Sequence, residues 1–283
     1  MKKIDLHTHS TASDGIYAPR QLIDIAVRNG LIALAITDHD TVDGLPEGVE
    51  YAKGAALKLY CGVEFSINYD SGSFHLLGLN IDFTNVKLRE ELKRLAECRD
   101  ARAYRIIEDL NKHDVSIPIE EVLALSDGGA IGRPHIARVM VNHGYASSVK
   151  EIFSNYLVKG KPGYVKKERI ELHSAISLIR DSGGIPVIAH PVSLECGNFD
   201  EFEILLKQLV NAGVQGIEAY AAMHTVEQAQ NYARIARRYD LLVTGGSDFH
   251  GDKDEIMGNY TKKDSIPIEI YDRLEEYIRL RQM

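Results

Sequence analysis

Apolar and polar positions in the first part of the chain follow two rhythms, one typical of strands and one typical of helices. The strand-like segments are KIDLHTHS, LIALAITDHD, KLYCGVEFSIN and SFHLLGLNID, and the helical segments among them are APRQLIDIAVRNG and EGVEYAKGAAL. Successive side chains of a strand point to opposite faces, so Ile4 and Leu6 share one face and Asp5, His7 and His9 share the other. The last two strands follow each other directly, which predicts a hairpin. The whole pattern predicts a mostly parallel sheet or barrel.

A different pattern begins near Thr84. From Val86 to about His113 the chain reads as one long, charged, amphipathic helix. Further helical segments follow in IPIEEVLALS, PHIARVMVNHGY and SVKEIFSNYLV, and strand–helix alternation resumes after KGKPGYV. We therefore predict an all-helical insertion over residues 86–163 in an α/β barrel core formed by residues 1–85 and 164–283.

The composition is that of a soluble globular protein, since 45% of the 283 residues are hydrophobic and 26% are charged. A net charge of -8 argues against a large nucleic-acid footprint, although a bound metal can reverse the sign locally. Cys61, Cys98 and Cys196 lie far apart, which indicates reduced thiols in a cytoplasmic protein. The sequence begins without an apolar signal-peptide region, and no apolar run is long enough to span a bilayer.

Candidate chemistry gathers where predicted strands end. Nine histidines and acids lie at or near these ends: His7, His9, Asp14, His39, Glu64, His75, His190, Asp248 and His250. The C-terminal ends of parallel strands in such folds form one edge, where active sites are built. Imidazole and carboxylate together suit Zn²⁺, Mn²⁺ or Fe²⁺. Nine ligands are too many for one ion, so we predict two or three divalent ions, with Glu64 as a bridge.

Each of these residues also has an ordinary structural alternative. A single histidine at a strand end is more often a hydrogen-bonding residue than a ligand, and Glu64 or Asp248 alone could cap a helix. His75 is the weakest candidate because its strand need not end at the same edge. Chance would not readily place acids and histidines at nearly every predicted strand end, so the set as a whole favours a metal site.

Three further aspartates, Asp5, Asp38 and Asp40, are predicted to support these ligands. Ligating imidazoles usually donate their other N–H to a carboxylate. Strand alternation places Asp38 and Asp40 on the face opposite His39, so at least one of the two could cap the following helix instead.

Six motifs together resemble the polymerase and histidinol phosphatase (PHP) family of metal-dependent phosphoesterases. They are DLHTHSTASDG, AITDHDT, GVEFS, HLLG, IAHP and GSDFH, and they occur in the family's order. The resemblance implies a distorted TIM-like (β/α)7 barrel with three metal ions. One ion would be held by His7, His9, Glu64 and Asp248, the second by Asp14, His39 and His250, and the third by Glu64, His75 and His190.

A GRPH motif, Gly132 to His135, makes the sequence similar to the PHP subfamily with a helical insertion. That subfamily acts on nucleoside 3′,5′-bisphosphates and on short 5′-phosphorylated oligonucleotides. Arg133 offers a planar fork of donors that fits a phosphate, and Pro134 suits a first helical turn, where anions are favoured. Arg133 and His135 are therefore predicted to bind a substrate phosphate, and the alternative is an ordinary helix start with a solvated arginine. His224 could also contact phosphate, from a loop at a strand end.

The predicted reaction is phosphoester hydrolysis by a metal-bridging hydroxide, supported by Asp14, His39 and His190. Coordination can bring the pKa of water to about 7. The favoured substrate bond is the 3′-phosphate of a nucleoside 3′,5′-bisphosphate, giving a nucleoside 5′-monophosphate, or a bond in a short 5′-phosphorylated oligonucleotide. The alternatives are a histidinol-phosphate phosphatase, a non-catalytic metal-stabilised PHP module and a nucleic-acid-binding protein. The sequence leaves open the metal, the choice between mononucleotide phosphatase and exonuclease, and the oligomeric state.

Overall fold

The computed structural model describes residues 2–126 and 131–281. Its seven strands form one sheet in which each strand lies beside the next one in the sequence. The strands are β1 (Lys3–Asp5), β2 (Leu31–Ile36), β3 (Lys58–Ile67), β4 (Phe74–Leu79), β5 (Ile185–Ile188), β6 (Gly216–Ala221) and β7 (Leu242–Gly246).

The sheet curves into a nearly closed barrel. Strands β1, β2 and β3 are parallel, β4 is antiparallel to both β3 and β5, and β5, β6 and β7 are parallel. The first and last strands meet where the Leu6 N–H donates to the Gly245 carbonyl at 3.2 Å and where Thr8 pairs with Phe249. The predicted fold class and the predicted β3–β4 hairpin are both confirmed.

Helices follow most of the strands of the barrel. They are α1 (Pro19–Arg28), α2 (Leu45–Ala52), α7 (Leu172–Asp181), α8 (Phe199–Ala212), α9 (Val226–Arg238) and α10 (Glu269–Arg281), and a short 3-10 turn covers Pro191–Leu194. Helix α1 shows why they form. Its buried residues are Pro19, Leu22, Ile23 and Ala26, which is the spacing that places side chains on one helical face.

The interior of the barrel is apolar. Ile4 and Leu6 are fully buried, as predicted, and pack in one cluster with Ala33, Leu77 and Val187. Apolar burial of this kind is the main favourable contribution to folding. Asp5, His7 and His9 on the polar face are buried as well, so they need polar partners.

The chain divides into two compact units, and Lys93–Glu168 form the second one. In its described residues this unit is helical, with most of α3 (Val86–Asn111), then α4 (Ile119–Ser126), α5 (Arg133–Asn142), α6 (Val149–Ile152) and a π-helical turn (Phe153–Leu157). It has an apolar core of its own, which includes Ile106, Leu110, Ile136, Met140 and Leu157. The long predicted helix is present, but its first residues, through Leu92, belong to the barrel unit.

No helix within 2–126 or 131–281 is both long and apolar enough to cross a bilayer.

Candidate metal centre

All nine predicted ligands come together at one edge of the barrel, called the rim below. Eight of them form three groups in which the candidate ligand atoms lie within 4.8 Å of one another. The first group is His7, His9, Glu64 and Asp248, the second is His9, Asp14, His39 and His250, and the third is His39, Glu64 and His75. The ninth residue, His190, places Nε2 at 3.1 Å from Glu64 Oε1.

These groups resemble the three predicted ligand sets but are not identical to them. The first group has the predicted members. The second gains His9, and the third contains His39, while His190 contacts it through Glu64. Because His9, His39 and Glu64 each belong to two groups, the three groups form one connected cluster.

Glu64 lies at the centre of this cluster. Its side chain is 0% exposed, and its two oxygens face different histidines. Oε2 lies 2.9–3.3 Å from ring nitrogens of His7, His9 and His39, and Oε1 lies 3.0–3.1 Å from those of His75 and His190. A carboxylate in this position can bridge two cations.

The position of Glu64 depends on unequal strand lengths. Glu64 lies near the end of β3 but is not its last residue, because β3 continues to Ile67. The neighbouring β2 ends at Ile36, opposite Cys61. Glu64 therefore projects beyond the end of β2 and pairs with His39 in an isolated bridge.

His75 reaches the rim because β4 runs against its neighbours. It is the second residue of β4 and pairs with Ser66, near the C-terminal end of β3. The beginning of an antiparallel strand lies at the same edge as the ends of the strands beside it. His75 was the weakest candidate because its strand need not end at the rim. The reversal of β4 places His75 there all the same.

The cluster has polar atoms that the protein itself does not satisfy. Among the described residues, the buried side-chain atoms of the cluster that lack a hydrogen-bond partner include His7 Nε2, His9 Nε2, Glu64 Oε2, His75 Nδ1 and Asp248 Oδ1. Buried polar atoms without partners are costly and therefore uncommon. These five are the imidazole and carboxylate atoms that divalent cations accept as ligands, so the residues present fit bound metal ions.

Electrostatics agree with this interpretation. Burial opposes charge on Glu64 and Asp248, but the surrounding histidines outweigh it and hold the pKa of both carboxyls well below the usual range. Burial also opposes a charge on His7 and His9, yet the carboxylates beside them raise both pKa values, that of His9 to about 10. Metal binding would release such protons, because ligating imidazoles must be neutral.

Asp5 supports the loops of the site by other contacts than predicted. Its carboxylate accepts hydrogen bonds from Ser247, through both the backbone N–H and the hydroxyl, and from the Gly258 N–H. Its contact with His7 is to the backbone N–H at 3.3 Å. Burial raises the pKa of Asp5 to about 6, although these hydrogen bonds oppose the rise. Asp5 thus joins the beginning and the end of the chain at the rim.

Asp38 and Asp40 also bind backbone at the rim. Asp38 accepts from the Ser10 N–H, the Ser10 hydroxyl and the Ser13 hydroxyl, each at 2.7 Å, and Asp40 accepts from the Ser66 N–H at 2.9 Å. The alternative that one of them caps the next helix does not hold, because the N-cap of α2 is Gly44 and has no side-chain cap. Asp38 shapes the loop after β1, and Asp40 holds the end of β3.

Two functional residues were missed by the sequence analysis. Glu218 in β6 places Oε1 at 3.0 Å from His7 Nδ1. An acidic residue inside the otherwise apolar segment VQGIEAY was the feature of the sequence that could have identified it. Gly246 is the second residue. Its lack of a side chain makes space for His7 and Glu218, since a Cβ built there would lie 2.1 Å from the Cβ of His7 and 2.8 Å from Glu218 Oε1.

The structure does not favour the predicted phosphate contact of His224. The ring is buried, Nδ1 donates to the Ala219 carbonyl at 2.8 Å, and Nε2 faces the Val192 N–H at 3.4 Å. Burial also lowers the pKa of this imidazole. With both nitrogens directed at backbone groups, His224 is suited to holding the turns after β5 and β6, and its contact with phosphate stays a prediction.

Arg133 and His135 lie in the helical unit, at the start of α5 as predicted. The Arg133 guanidinium lies 5.4 Å from the centre of the Phe153 ring and donates to the Leu157 carbonyl at 3.2 Å. His135 Nδ1 accepts from the Gly132 N–H at 3.1 Å. Both side chains are thus anchored at a helix N-terminus, and their contact with phosphate stays a prediction.

Comparison with known proteins agrees with the fold and the cluster. The PHP domain family matches residues 5–280. The 5′-3′ exoribonuclease Rnm of Salmonella typhimurium is 37% identical over 252 residues, which cover 87% of this chain and 84% of that protein. A 3′,5′-nucleoside bisphosphate phosphatase of Chromobacterium violaceum is 34% identical over 255 residues, covering 88% of each chain. The crystal structure of a Bifidobacterium adolescentis protein assigned as a metal-dependent phosphoesterase has a TM-score of 0.81 at 29% identity, covering 95% of this chain and 94% of that one. The chain therefore belongs to the PHP domain family.

Proposed function

We propose that this protein is a metal-dependent phosphoesterase that hydrolyses the 3′-phosphoester of a nucleotide carrying a 5′-phosphate. The substrate is a nucleoside 3′,5′-bisphosphate, or a short 5′-phosphorylated oligonucleotide in which the 3′-phosphate joins the next nucleoside. The observation that carries this proposal is the buried cluster around Glu64, whose unsatisfied nitrogen and oxygen atoms converge at the rim. The similarity to an exoribonuclease and to a bisphosphate phosphatase supports the substrate class.

Two or three divalent ions, such as Mn²⁺, Fe²⁺ or Zn²⁺, would be held by the nine residues of the cluster, with Glu64 as the bridge. When bound, such ions supply positive charge for the phosphate oxygens and lower the pKa of water, so that it can attack phosphorus. The protein fixes the ligands in advance, because His7, His9 and Glu64 are completely buried.

The side of the cluster that the substrate can reach is defined by exposure. Asp14 is the most exposed candidate ligand, with 48% of its side chain accessible. Four others are 20–24% exposed, namely His39, His75, Asp248 and His250, whereas His7, His9, Glu64 and His190 are buried. A phosphate would therefore approach at Asp14, the most exposed of the nine side chains.

Arg133 and His135 are proposed to bind the second phosphate. An arginine fork forms paired, charge-assisted hydrogen bonds with phosphate, and the ten-residue helix α5 presents N–H groups at its N-terminus. A second phosphate contact would make the enzyme select substrates with two phosphates, and would give the helical unit its role as a substrate-binding cap.

A substrate panel with added Mn²⁺ tests this proposal. It would compare a nucleoside 3′,5′-bisphosphate, a short 5′-phosphorylated RNA, histidinol phosphate and an aryl phosphate. We expect kcat/KM to be highest for one or both of the first two. Highest turnover of histidinol phosphate would overturn the substrate class. Absence of turnover on the whole panel would instead favour the non-catalytic alternative.

A further inference from the structure

Glu218 is a buried carboxylate at the rim that is not among the nine candidate ligands. It lies in the middle of β6 (Gly216–Ala221), and only 1% of its surface is exposed. A buried carboxylate needs strong partners to remain in a folded protein. Its partners therefore indicate what it does.

The two oxygens of Glu218 bind two different residues of the cluster. Oε1 accepts from His7 Nδ1 at 3.0 Å, and Oε2 accepts from the backbone N–H of His190 at 2.8 Å. His7 belongs to the first group of candidate ligands, and His190 contacts the third through Glu64 Oε1. One side chain of β6 thus joins residues that follow β1 and β5.

We propose that Glu218 is a positioning residue that prepares His7 and His190 together for metal binding. When the ring is neutral and its one proton lies on Nδ1 toward Glu218, Nε2 of His7 carries the lone pair and faces Glu64 Oε2 and Asp248 Oδ1, each at 3.3 Å. A histidine can bind a cation only through a nitrogen that carries no proton. The Glu218 contact selects that nitrogen. This inference rests on the proposed metal centre.

The second contact holds His190 in an unusual backbone conformation. Its φ is +24° and its ψ is +66°, a region that residues other than glycine rarely adopt. Such conformations persist only where neighbouring groups enforce them. Glu218 is one such group, because it accepts a hydrogen bond from the His190 N–H. In this conformation Nε2 of the His190 ring faces Glu64.

Only a side chain with two acceptors can make both contacts. A glutamine has the same shape but carries one acceptor and one donor. The His190 backbone N–H can only donate, so it requires the amide oxygen. The amide nitrogen would then face His7 Nδ1, which can accept only if the ring proton moves to Nε2, the atom that should bind metal.

Glu218→Gln therefore tests the proposal with little change in shape. We expect its Zn²⁺ affinity, measured by titration calorimetry, to fall by roughly 10- to 100-fold, the range found when partners of ligating histidines are removed. Far-UV circular dichroism of the metal-stripped variant should match the wild type. Glu275→Gln is the matched control, because Glu275 accepts hydrogen bonds from Lys58 and Tyr60 at the other end of β3, and it should bind Zn²⁺ as the wild type does.

The outcomes separate this inference from the proposed function. A Glu218→Gln protein that binds Zn²⁺ like the control would overturn the positioning role and leave the metal centre intact. A wild-type protein that binds no divalent ion would overturn both. Lower thermal stability with unchanged Zn²⁺ affinity would mean that Glu218 is merely structural, and would also reject the proposal.

A measurement on the unsubstituted protein decides the matter even if the variant fails to fold. Nitrogen-15 spectra of the histidine rings in the Zn²⁺-loaded protein report which nitrogen carries the proton. We expect His7 to hold its proton on Nδ1 and to bind through Nε2. A His7 ring bound through Nδ1 would contradict the geometry.

Discussion

Strand β3 carries one polar cluster near each of its ends, and the two clusters balance charge differently. Near its start, Lys58 and the Tyr60 hydroxyl both donate to Glu275 Oε1, and the Glu275 side chain is 35% exposed. Near its end, Glu64 is fully buried and faces five imidazoles, while several buried atoms of its cluster lack hydrogen-bond partners within the described chain.

The difference shows what a complete ion pair looks like in this fold. Glu275 has a permanent cation and a hydroxyl as partners, and solvent reaches it. Glu64 has partners whose charge depends on bound protons, at a place that water does not reach. The first cluster is finished when the chain has folded, whereas the second, by the proposed function, would be completed by cations from outside. The predictions below test this contrast.

The largest expected effect follows removal of a ligand. Asp248→Ala or His39→Ala should lower kcat/KM by roughly a thousandfold or more, because the cations contribute several kcal/mol to transition-state stabilisation. Circular dichroism should show an intact fold. Full activity in either variant would refute the metal assignment.

Metal affinity should depend on pH in a defined direction. Burial would lower the pKa of His9, but Asp248 and Glu64 raise it to about 10, so in the chelator-stripped protein this ring carries a proton at neutral pH. A cation must displace that proton, and affinity should rise by up to about tenfold per pH unit for each proton released. Zn²⁺ calorimetry in buffers of different ionisation heat would count the protons, and a pH-independent affinity would contradict the assignment.

The same proton gives the stripped protein the opposite dependence of stability on pH. A histidine whose pKa is raised on folding stabilises the folded state fully below its unfolded value of 6.5, and this contribution is lost as pH rises through about 10. We expect Tm of the stripped protein to fall over this window and Tm of the Zn²⁺-loaded protein to fall less. Thermal melts of both forms at matched pH would show this difference in Tm. Equal changes of Tm with pH in the two forms would contradict the prediction.

Arg133→Ala should distinguish substrates with one phosphate from substrates with two. The loss of a charge-assisted hydrogen bond costs about 1.5–3 kcal/mol, so kcat/KM for a nucleoside 3′,5′-bisphosphate should fall by about 10- to 100-fold. Turnover of an aryl phosphate should change little, since it has no second phosphate. Equal losses for both substrates would remove the proposed role of the helical unit in substrate choice.

The smallest effect is expected at the other end of β3. Glu275→Gln leaves an acceptor for the Tyr60 hydroxyl and removes only a half-exposed ion pair with Lys58, which contributes about 1 kcal/mol or less. Tm should fall by only a few degrees and kcat/KM should stay at the wild-type value. A large loss of activity would mean that the two ends of the strand are coupled.

The sequence predicted most of the fold because the hydrophobic periods were regular. The strand LIALAI and the helix beginning at Pro19 follow from spacing alone. Because the C-terminal ends of parallel strands form one edge, residues as distant as His7 and His250 were expected to converge. The structure brings all nine together, while their role as ligands stays a prediction.

What the sequence did not predict depends on three-dimensional details. Glu64 lies at the rim because β3 extends beyond the end of β2. His75 lies there because β4 runs antiparallel to its neighbours. Strand alternation could not identify the carboxylate that His7 faces, because Glu218 is more than two hundred residues away and lies in an apolar strand. The aspartates near the histidines in sequence bind mainly loop backbone and hydroxyl groups instead.

The close approach at Gly246 bears on how relatives of this protein should be judged. Position 246 contributes no chemistry, yet even one added carbon there would collide with the His7 side chain. A homologue could therefore keep every acid and histidine and still be inactive because of an alanine at this place. Counting ligands in an alignment is not sufficient to separate working enzymes from degenerate copies, and the empty space beside the first histidine should be inspected as well.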